Sequence, residues 1–273
     1  SPDRLLRVRT RESQLIQSPT TGRTIQWTIS SGGTNNLISN IDMDDPNPNY
    51  DYISKGTVHP KILLGGVYLQ GNYNVLENSF ITKISYQPVI IDTNSFYSTV
   101  RGNDIRAYMG NAVMVSASNS ALRGLLVEGN TMGGSYESDG VQLNYSYFCS
   151  GKSQTDCSND NRCVWETTCK VNMTMDSNAD NWGVIIRNNA FIGPFGENAI
   201  DLKGSQFIWV DGNIMTGAYG DNDGPIDGND RSGGGTVMRG SNAVALNWAV
   251  RSNIIYNSTG AAIHFPSSKN SVA

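Results

Sequence analysis

An acid and a base stand two residues apart in the segment AIDLK, residues 199–203. Asp201 and Lys203 alternate with two apolar residues, so in a β-strand the charged pair lies on one face and the apolar pair on the other. A lysine can act as a general base once a nearby cation favours loss of its proton, or the pair can form a solvated ion pair. The elements that hold the pair must decide between these interpretations.

A short motif recurs along the chain and indicates an internal repeat. It consists of Val or Ile, two residues, Asn, one residue and an apolar residue, and its copies start 25, 27, 59, 24 and 40 residues apart. The basic repeat is therefore near 25 residues, and two repeats carry insertions, at 145–181 and 217–241. The asparagines of the motif are Asn78, Asn103, Asn130, Asn189, Asn213 and Asn253.

A second set of segments precedes this motif and alternates apolar with other residues. The segments are 66–70, 89–93, 112–116, 140–144, 199–203, 243–247 and 262–265. Their second and fourth residues are predicted to face a core, with Asp92 as the exception. The outward residues between them are Tyr68, Ile91, Met114, Gln142, Asp201, Ala245 and His264.

Short strands repeating every 25 residues without helical periodicity predict an all-β solenoid that adds one rung per repeat. These motifs resemble the right-handed parallel β-helix family, which includes the pectate lyases and related polysaccharide enzymes. The resemblance covers roughly residues 60–265, and the segment 24–43 reads as an earlier, degenerate rung. We expect one domain over 1–273 with seven or eight rungs.

The repeated asparagines are predicted to stack in one turn, where their amides can satisfy buried backbone groups. The residues just before these asparagines alternate in the sign of their charge. This alternation predicts an exposed ladder of weak ion pairs. The members of that ladder are Arg101, Glu128, Arg187, Asp211 and Arg251.

The insertion 145–181 carries all four cysteines, with seven, five and five residues between them. Zinc sites need closer ligand pairs, so two local disulfides among Cys149, Cys157, Cys163 and Cys169 are predicted. The CVWE segment is similar to small PSI-type cysteine modules of extracellular proteins. Three sequons agree with a secreted glycoprotein and place glycans at Asn144, Asn172 and Asn257.

The two insertions should rise on opposite edges of the wall that carries Asp201 and Lys203, and so should enclose a groove. Its predicted substrate-binding residues are Gln142, Asn144, Asn247, Glu197 and Asp139. His264 lies further along the same wall and is a third candidate catalytic residue, although a packing role is the alternative.

The Gly-rich loop DNDGPIDGND has the ligand type and flexibility that Ca²⁺ prefers. Its carboxylates are Asp221, Asp223, Asp227 and Asp230. A solvated acidic turn is the alternative interpretation.

The family resemblance implies a secreted protein that binds acidic polysaccharide and cleaves it by β-elimination. Lys203 would be the base, and Asp201, Glu197 and Asp139 would hold Ca²⁺ or orient Lys203. The alternative is a non-catalytic extracellular β-helix, a structural or adhesion component. The C-terminal segment starts another rung without a recognisable cap, which predicts a partner subunit or further rungs there.

The net charge of −4 and pI near 5.2 argue against nucleic acid as a partner. No run of eighteen apolar residues occurs, so membrane insertion is not expected.

Overall fold

Three β-sheets are wound from short strands, and each turn of the chain adds one strand to each sheet. The computed structural model describes residues 7–9, 13–17, 27–31, 33–44, 66–82, 84, 87–91, 95–108, 110–115, 123–135, 139–143, 153–159, 163–171, 181–203, 205–218, 238–239, 245–258, 260–264 and 268–269. Within these ranges seven turns contribute to all three sheets, and an eighth begins with one further strand. The predicted right-handed parallel β-helix is confirmed.

The first sheet carries the wall on which Asp201 lies. Its strands are Ser13–Gln17, Trp27–Ser31, Val67–Leu69, Val89–Ile91, Val113–Val115, Val141–Leu143, Ile200–Leu202, Met238–Arg239 and Ile263–His264. The first of these pairs antiparallel with Trp27–Ser31, and all later pairs are parallel.

The second and third sheets complete each turn. The second contains Arg7–Arg9, Leu37–Ser39, Val75–Glu77, Thr99–Arg101, Leu126–Glu128, Ile185–Arg187, Trp209–Asp211 and Ala249–Arg251. The third contains Asp42–Asp44, Phe80–Thr82, Asp104–Tyr108, Thr131–Ser135, Ala190–Phe195, Ile214–Ala218 and Ile254–Tyr256. Arg7–Arg9 is antiparallel to its neighbour Leu37–Ser39, and the remaining strands are parallel.

Two smaller sheets and a short helix complete the described elements. A fourth sheet bridges the first and second sheets in the later turns and contains Asn181–Trp182, Ser205–Gln206, Ala245–Leu246 and Ser268–Lys269. The cysteine insertion contains the helix Gln154–Asn159 and the antiparallel strands Cys163–Trp165 and Cys169–Val171. No helix in the described residues is long and apolar enough to cross a membrane.

Inward-facing side chains in register build the core of the solenoid. In the first sheet, Val67, Val89, Val113, Val141 and Ile200 stack on successive turns, and each is fully buried. Parallel strands lie about 4.8 Å apart, so each aliphatic side chain packs directly on the one above it. The alternation seen in the sequence is therefore the alternation between this core and the outer wall.

The asparagine ladder lies in the turn between the second and third sheets, as predicted. In Asn103, Asn130, Asn189 and Asn213 the main-chain N–H and the side-chain Nδ2 both donate to the Oδ1 of the asparagine on the next turn. Those donor–acceptor distances are 2.9–3.0 Å. Asn253 accepts the last pair of bonds.

Asn78 was predicted to belong to this ladder, and that prediction is wrong. Leu76, not Val75, pairs with Val100, so the position in register with Asn103 is Ser79, whose N–H donates to the Asn103 Oδ1. Asn78 instead occupies an exposed turn position with a positive φ of 50°.

The predicted charge ladder is present on the outer face of the second sheet. Glu77, Arg101, Glu128, Arg187, Asp211 and Arg251 are neighbours in register. Ion pairs join Arg101 to Glu77, Arg187 to Glu128 and Arg251 to Asp211 at 2.6–3.1 Å. These side chains are partly exposed, so each pair contributes only tenths of a kcal/mol, roughly.

Two register assignments in the first sheet are corrected. Ile91 faces the core and Ile90 is the outward residue, because Val89 and Ile91 pair with Val113 and Val115. The segment 243–247 does not belong to this sheet: Met238–Arg239 follows Ile200–Leu202, and Ala245–Leu246 joins the fourth sheet. The second long connection therefore spans 219–237.

The cysteine insertion forms its own small core. Cys157 and Cys169 form a disulfide, and Cys163 is also disulfide-bonded. Trp165 packs against these three cysteines. The disulfide prediction is confirmed for the three cysteines that the structure describes, whereas Cys149 lies outside the described residues.

Candidate functional site

The first sheet places Gln142 and Asp201 side by side on its outer face, on two successive turns. Outward residues of the preceding turns, Tyr68, Ile90 and Met114, are half-buried. Gln142 and Asp201 are only 8% and 3% exposed. The outer wall is thus enclosed at these two turns, so the alternative interpretation of a solvated ion pair does not fit the burial of Asp201.

Asp201 and Lys203 form the ion pair that the strand alternation predicted. Ile200 and Leu202 point into the core and fix the strand, so the charged side chains project from the opposite face. The Lys203 Nζ lies 3.2 Å from the Asp201 Oδ2, and the two side chains are 18% and 4% exposed. Lys203 is thus the more accessible member of the pair.

Asp139 lies beside this pair and is fully buried, whereas it was predicted to bind substrate in the groove. Its Oδ1 accepts hydrogen bonds from the main-chain N–H and the Nδ2 of Asn198, at 2.8 and 2.7 Å. Its Oδ2 accepts a hydrogen bond of 2.9 Å from the Gln142 Nε2.

Burial raises the pKa of Asp139 well above its ordinary value, and the carboxylates of Asp201 and Glu197 raise it further. The hydrogen bond from Asn198 and the Lys203 ammonium act in the opposite direction. The site therefore combines one buried carboxyl that tends to keep its proton, two further acidic residues and one lysine.

The other predicted site residues do not all lie on the wall that carries Asp201. Glu197 precedes the Asp201 strand, is half-buried and acts electrostatically on Asp139. Asn247 follows the fourth-sheet strand Ala245–Leu246 and not a first-sheet strand, so it is not on the Asp201 wall. Asn144 lies outside the described residues.

His264 is on the predicted wall but not at the ion pair. Its strand pairs with Met238–Arg239, which in turn pairs with Ile200–Leu202. Two strand spacings separate His264 from Asp201, about 10 Å. His264 is exposed, whereas Asp201 is not.

The described residues contain no group of three or more His, Cys, Asp and Glu side chains that could hold a metal ion. Both oxygens of Asp139 accept N–H donors, and Asp201 contacts Lys203. The proposed Ca²⁺ ligands Asp221, Asp223, Asp227 and Asp230 lie outside the described residues, so calcium binding by that loop stays a prediction. The sequon residue Asn172 also lies outside them, and Asn257 is exposed.

Asn111 and Asn198 are part of the site and were not singled out from the sequence. A signal was available, because Asn-Ala or Asp-Gly stands immediately before three first-sheet strands, in NAV, DGV and NAI. These three short motifs place Asn111, Asp139 and Asn198 in equivalent turns. Arg239 was also missed, and it is the residue in register with Asp201 on the next strand.

No protein-family model matches this chain, and no curated protein matches it. Solved structures of similar fold include a tailspike and a pectate lyase. The Dettilon tailspike protein (gp208) aligns with a TM-score of 0.51 and 16% identity, over 84% of this chain and 36% of the tailspike chain. Pectate lyase Pel9A aligns with a TM-score of 0.56 and 11% identity, over 88% of this chain and 52% of the lyase chain.

This chain thus spans about a third of the tailspike chain and half of the lyase chain. At such identities the likeness concerns the fold. The parallel sheets, the asparagine ladder and these two matches agree, and the chain is a right-handed parallel β-helix protein.

Proposed function

We propose that the protein binds an acidic polysaccharide at the Asp201–Lys203 site and cleaves it by β-elimination, with Lys203 as the base. The observation that carries this proposal is the enclosed ion pair on the outer wall of the first sheet, in which Lys203 is more accessible than Asp201. An enclosed ammonium group favours a carboxylate-bearing ligand. The fold shared with a pectate lyase supports the same class of substrate by analogy.

The reaction needs a base next to the C5 proton of a uronate residue. Lys203, once deprotonated, takes that proton on Nζ, the C5–H electrons form the C4=C5 double bond, and the C4–O4 bond breaks. The departing oxygen takes a proton from water. The resulting Lys203 ammonium donates a hydrogen bond to Asp201, and the carboxylate balances its charge. The Lys203 Nζ and the Asp201 Oδ2 are 3.2 Å apart. Ca²⁺ held by the acidic residues of the connection 219–237 would neutralise the uronate carboxylate.

Secretion is part of the proposal. The Cys157–Cys169 disulfide supports it, because disulfides persist mainly in oxidising compartments outside the cytosol. An exposed Asn257 suits a glycan on a secreted chain.

The proposal is tested by mixing the protein with polygalacturonate, alginate and glycosaminoglycans, with Ca²⁺ or with chelator, and following the absorbance of the unsaturated product. Lys203→Gln keeps a donor for Asp201 and removes the base, so we expect the rate to fall by about 100-fold or more. Arg187→Ala, which removes a cation from the second sheet, is the control and should keep the wild-type rate. Full activity of folded Lys203→Gln would overturn the assignment of the base.

A non-catalytic extracellular role is the second candidate, as a structural or adhesion β-helix. It is favoured by the burial of Asp201, since a buried carboxylate that is paired with lysine can serve the scaffold alone. Absence of product from every polyuronate, with the protein folded, would support this role and contradict the lyase.

A further inference from the structure

Two tyrosines form an exposed aromatic surface at the turn between the first and second sheets. Tyr73 and Tyr97 lie two residues before the strands Val75–Glu77 and Thr99–Arg101, on successive turns. Their rings stack with a centroid separation of 5.1 Å and an angle of 12° between the ring planes. The two residues are 51% and 49% exposed. We refer to this pair as the tyrosine shelf.

The stacking is offset, so each ring keeps part of its face uncovered. Two parallel rings in contact are separated by about 3.5–4 Å, which is less than the 5.1 Å between the two centroids. The rings are therefore displaced sideways, in the offset arrangement that aromatic pairs prefer. The shelf thus presents two nearly parallel ring faces, each with a hydroxyl group, to the surrounding solvent.

A glycine on the next turn makes room for the shelf. Gly124 occupies the position equivalent to Tyr97, two residues before the strand Leu126–Glu128, and has a φ of +70°. A Cβ at Gly124 would clash with the Tyr97 ring. The Tyr97 N–H donates to the Arg123 carbonyl at 2.7 Å, which ties the two turns together at this point. The Tyr97 ring therefore lies against the backbone of the next turn.

The fold does not require tyrosine at these positions. Tyr73 and Tyr97 each have a φ of 58°, and the equivalent residues on other turns include Asn35, Gly183 and Asn247, which also have positive φ. Asparagine and glycine adopt this conformation at a lower cost than an aromatic residue does. Backbone strain combined with exposed aromatic surface on two successive turns indicates a binding role.

The chemistry of the shelf suits the ring of an acidic sugar. One face of a pyranose carries polarised C–H groups that pack on the negative face of an aromatic ring, and its hydroxyls can form hydrogen bonds with the tyrosine hydroxyls. A purely apolar partner would instead bury those hydroxyls without partners. Arg123 is exposed and pairs with Phe96, the residue before Tyr97, so it brings a positive charge to this turn. A guanidinium group favours a carboxylate-bearing ligand.

We propose that the tyrosine shelf is a second polysaccharide-binding site, at which Tyr73 and Tyr97 stack on sugar rings and Arg123 binds the carboxylate of an acidic sugar. The shelf is separate from the Asp201–Lys203 site. The first-sheet strand Val89–Ile91, which precedes Tyr97, is three strand spacings from Ile200–Leu202, about 14 Å along the solenoid. Binding at the shelf requires no cleavage at Lys203, so it extends beyond the proposed function.

The stacking role is tested by measuring polygalacturonate binding in the Lys203→Gln protein, in which loss of the proposed base prevents cleavage from consuming the polymer. Replacement of both Tyr73 and Tyr97 by Asn should weaken binding by about tenfold, the size expected for one aromatic contact. Tyr256→Asn removes a similarly exposed tyrosine from the third sheet, and it is the matched control that should keep the affinity. Unchanged affinity in the double variant would overturn the proposal.

Denaturant unfolding of the same double variant separates binding from a structural role. Asparagine suits the positive φ, and the relieved strain should offset the lost ring stacking, so the unfolding midpoint should stay close to that of the parent protein. A large fall in the midpoint would assign the tyrosines to the scaffold and overturn the proposal. Replacement of both tyrosines by Phe keeps the rings and should keep most of the affinity.

The role of Arg123 is tested by the salt dependence of polygalacturonate binding. Arg123→Gln should weaken binding and flatten its dependence on salt, whereas Arg187→Gln, which removes an exposed cation from the second sheet, should leave both unchanged. Equal salt dependence of Arg123→Gln and the parent protein would overturn the role of Arg123. Poly-L-glutamate, an acidic polymer without sugar rings, should compete poorly, and equal competition would overturn the stacking role.

Failure of the shelf and failure of the proposed function give different results. Binding that depends on Tyr73 and Tyr97, without cleavage of any polyuronate by the wild type, would support the shelf and contradict the lyase. Cleavage that depends on Lys203, with binding unaffected by the tyrosine substitutions, would support the lyase and overturn the shelf.

Discussion

At the scale of single residues, the Asn189 side chain shows how one amide can hold two turns of the solenoid together. Its Oδ1 accepts the main-chain N–H and the Nδ2 of Asn130, and its Nδ2 donates to the Val127 carbonyl and to the Asn213 Oδ1. Asn189→Ala would leave these buried groups without partners. We expect a loss of about 3 kcal/mol in the free energy of unfolding, measured by denaturant titration.

Asn78 is the control for this prediction, because it belongs to the same sequence motif but lies outside the ladder. Its φ of 50° suits glycine, so Asn78→Gly should change the free energy of unfolding by only a few tenths of a kcal/mol, roughly. Equal losses from the two substitutions would show that the ladder amides contribute no more to stability than an exposed turn residue.

The two asparagines also show what the sequence could and could not reveal at this scale. Recurrence of the motif identified Asn103, Asn130, Asn189, Asn213 and Asn253 correctly, because their spacing to an inward aliphatic residue is constant. In VLENSF both Val75 and Leu76 can be that residue, and the motif alone cannot choose between them. The burial of Asp139 was also beyond the sequence, since it depends on how neighbouring turns pack and not on local alternation.

At the scale of elements, residues with a left-handed backbone conformation form two columns, one before and one after the strands of the second sheet. These two columns explain why Gly and Asn are so frequent. One column, two residues before each strand, contains Asn35, Tyr73, Tyr97, Gly124, Gly183, Phe207 and Asn247. The other, just after each strand, contains Asn40, Asn78, Gly102, Gly129, Asn188, Gly212 and Ser252. Glycine and asparagine tolerate positive φ at the least cost, so the chain can turn sharply at both edges of each strand.

Gly212 and Gly129 allow the energetic cost of a positive φ to be separated from the cost of steric crowding around an added Cβ. Both have φ near +65°, but a Cβ at Gly212 would lie 2.7 Å from the Asn188 Oδ1, whereas at Gly129 the nearest atom is 4.0 Å away. Gly129→Ala should cost about 1 kcal/mol for the backbone alone. Gly212→Ala should cost more, about 2 kcal/mol, because the Asn188 side chain must also move. Equal costs in thermal unfolding would contradict the crowding argument.

Assignment of whole strands from sequence succeeded wherever the repeat is regular and failed after the second insertion. AVALN, residues 243–247, has the alternation of a first-sheet strand, yet Met238–Arg239 takes that place and Ala245–Leu246 enters the fourth sheet. Alternation identifies a half-buried strand, but it does not state which sheet the strand joins. After a long insertion, the number of residues since the previous turn no longer indicates which sheet a strand joins. The predicted place of Asn247 on the Asp201 wall was wrong for this reason.

At the scale of the whole molecule, the solenoid and the cysteine insertion have separate cores. The aliphatic core extends through the turns of the β-helix, and the insertion buries Cys157, Cys163 and Cys169 against Trp165 in a cluster of its own. Each turn of the solenoid is held by its neighbours above and below. The insertion can therefore lose its structure without breaking the stack of turns.

Replacement of both Cys157 and Cys169 by Ala tests this separation. A disulfide that closes a loop of this size stabilises by about 3 kcal/mol, and we expect that loss to remain within the insertion. The main thermal transition of the β-helix, followed by far-UV circular dichroism, should shift by less than about 4 °C, since 1 kcal/mol moves a domain of this size by about 2–4 °C. Limited proteolysis should at the same time become faster within residues 145–181. A shift of the main transition by roughly 10 °C would mean that the insertion and the solenoid unfold as one unit, and that the enclosed wall around Asp201 depends on the disulfide.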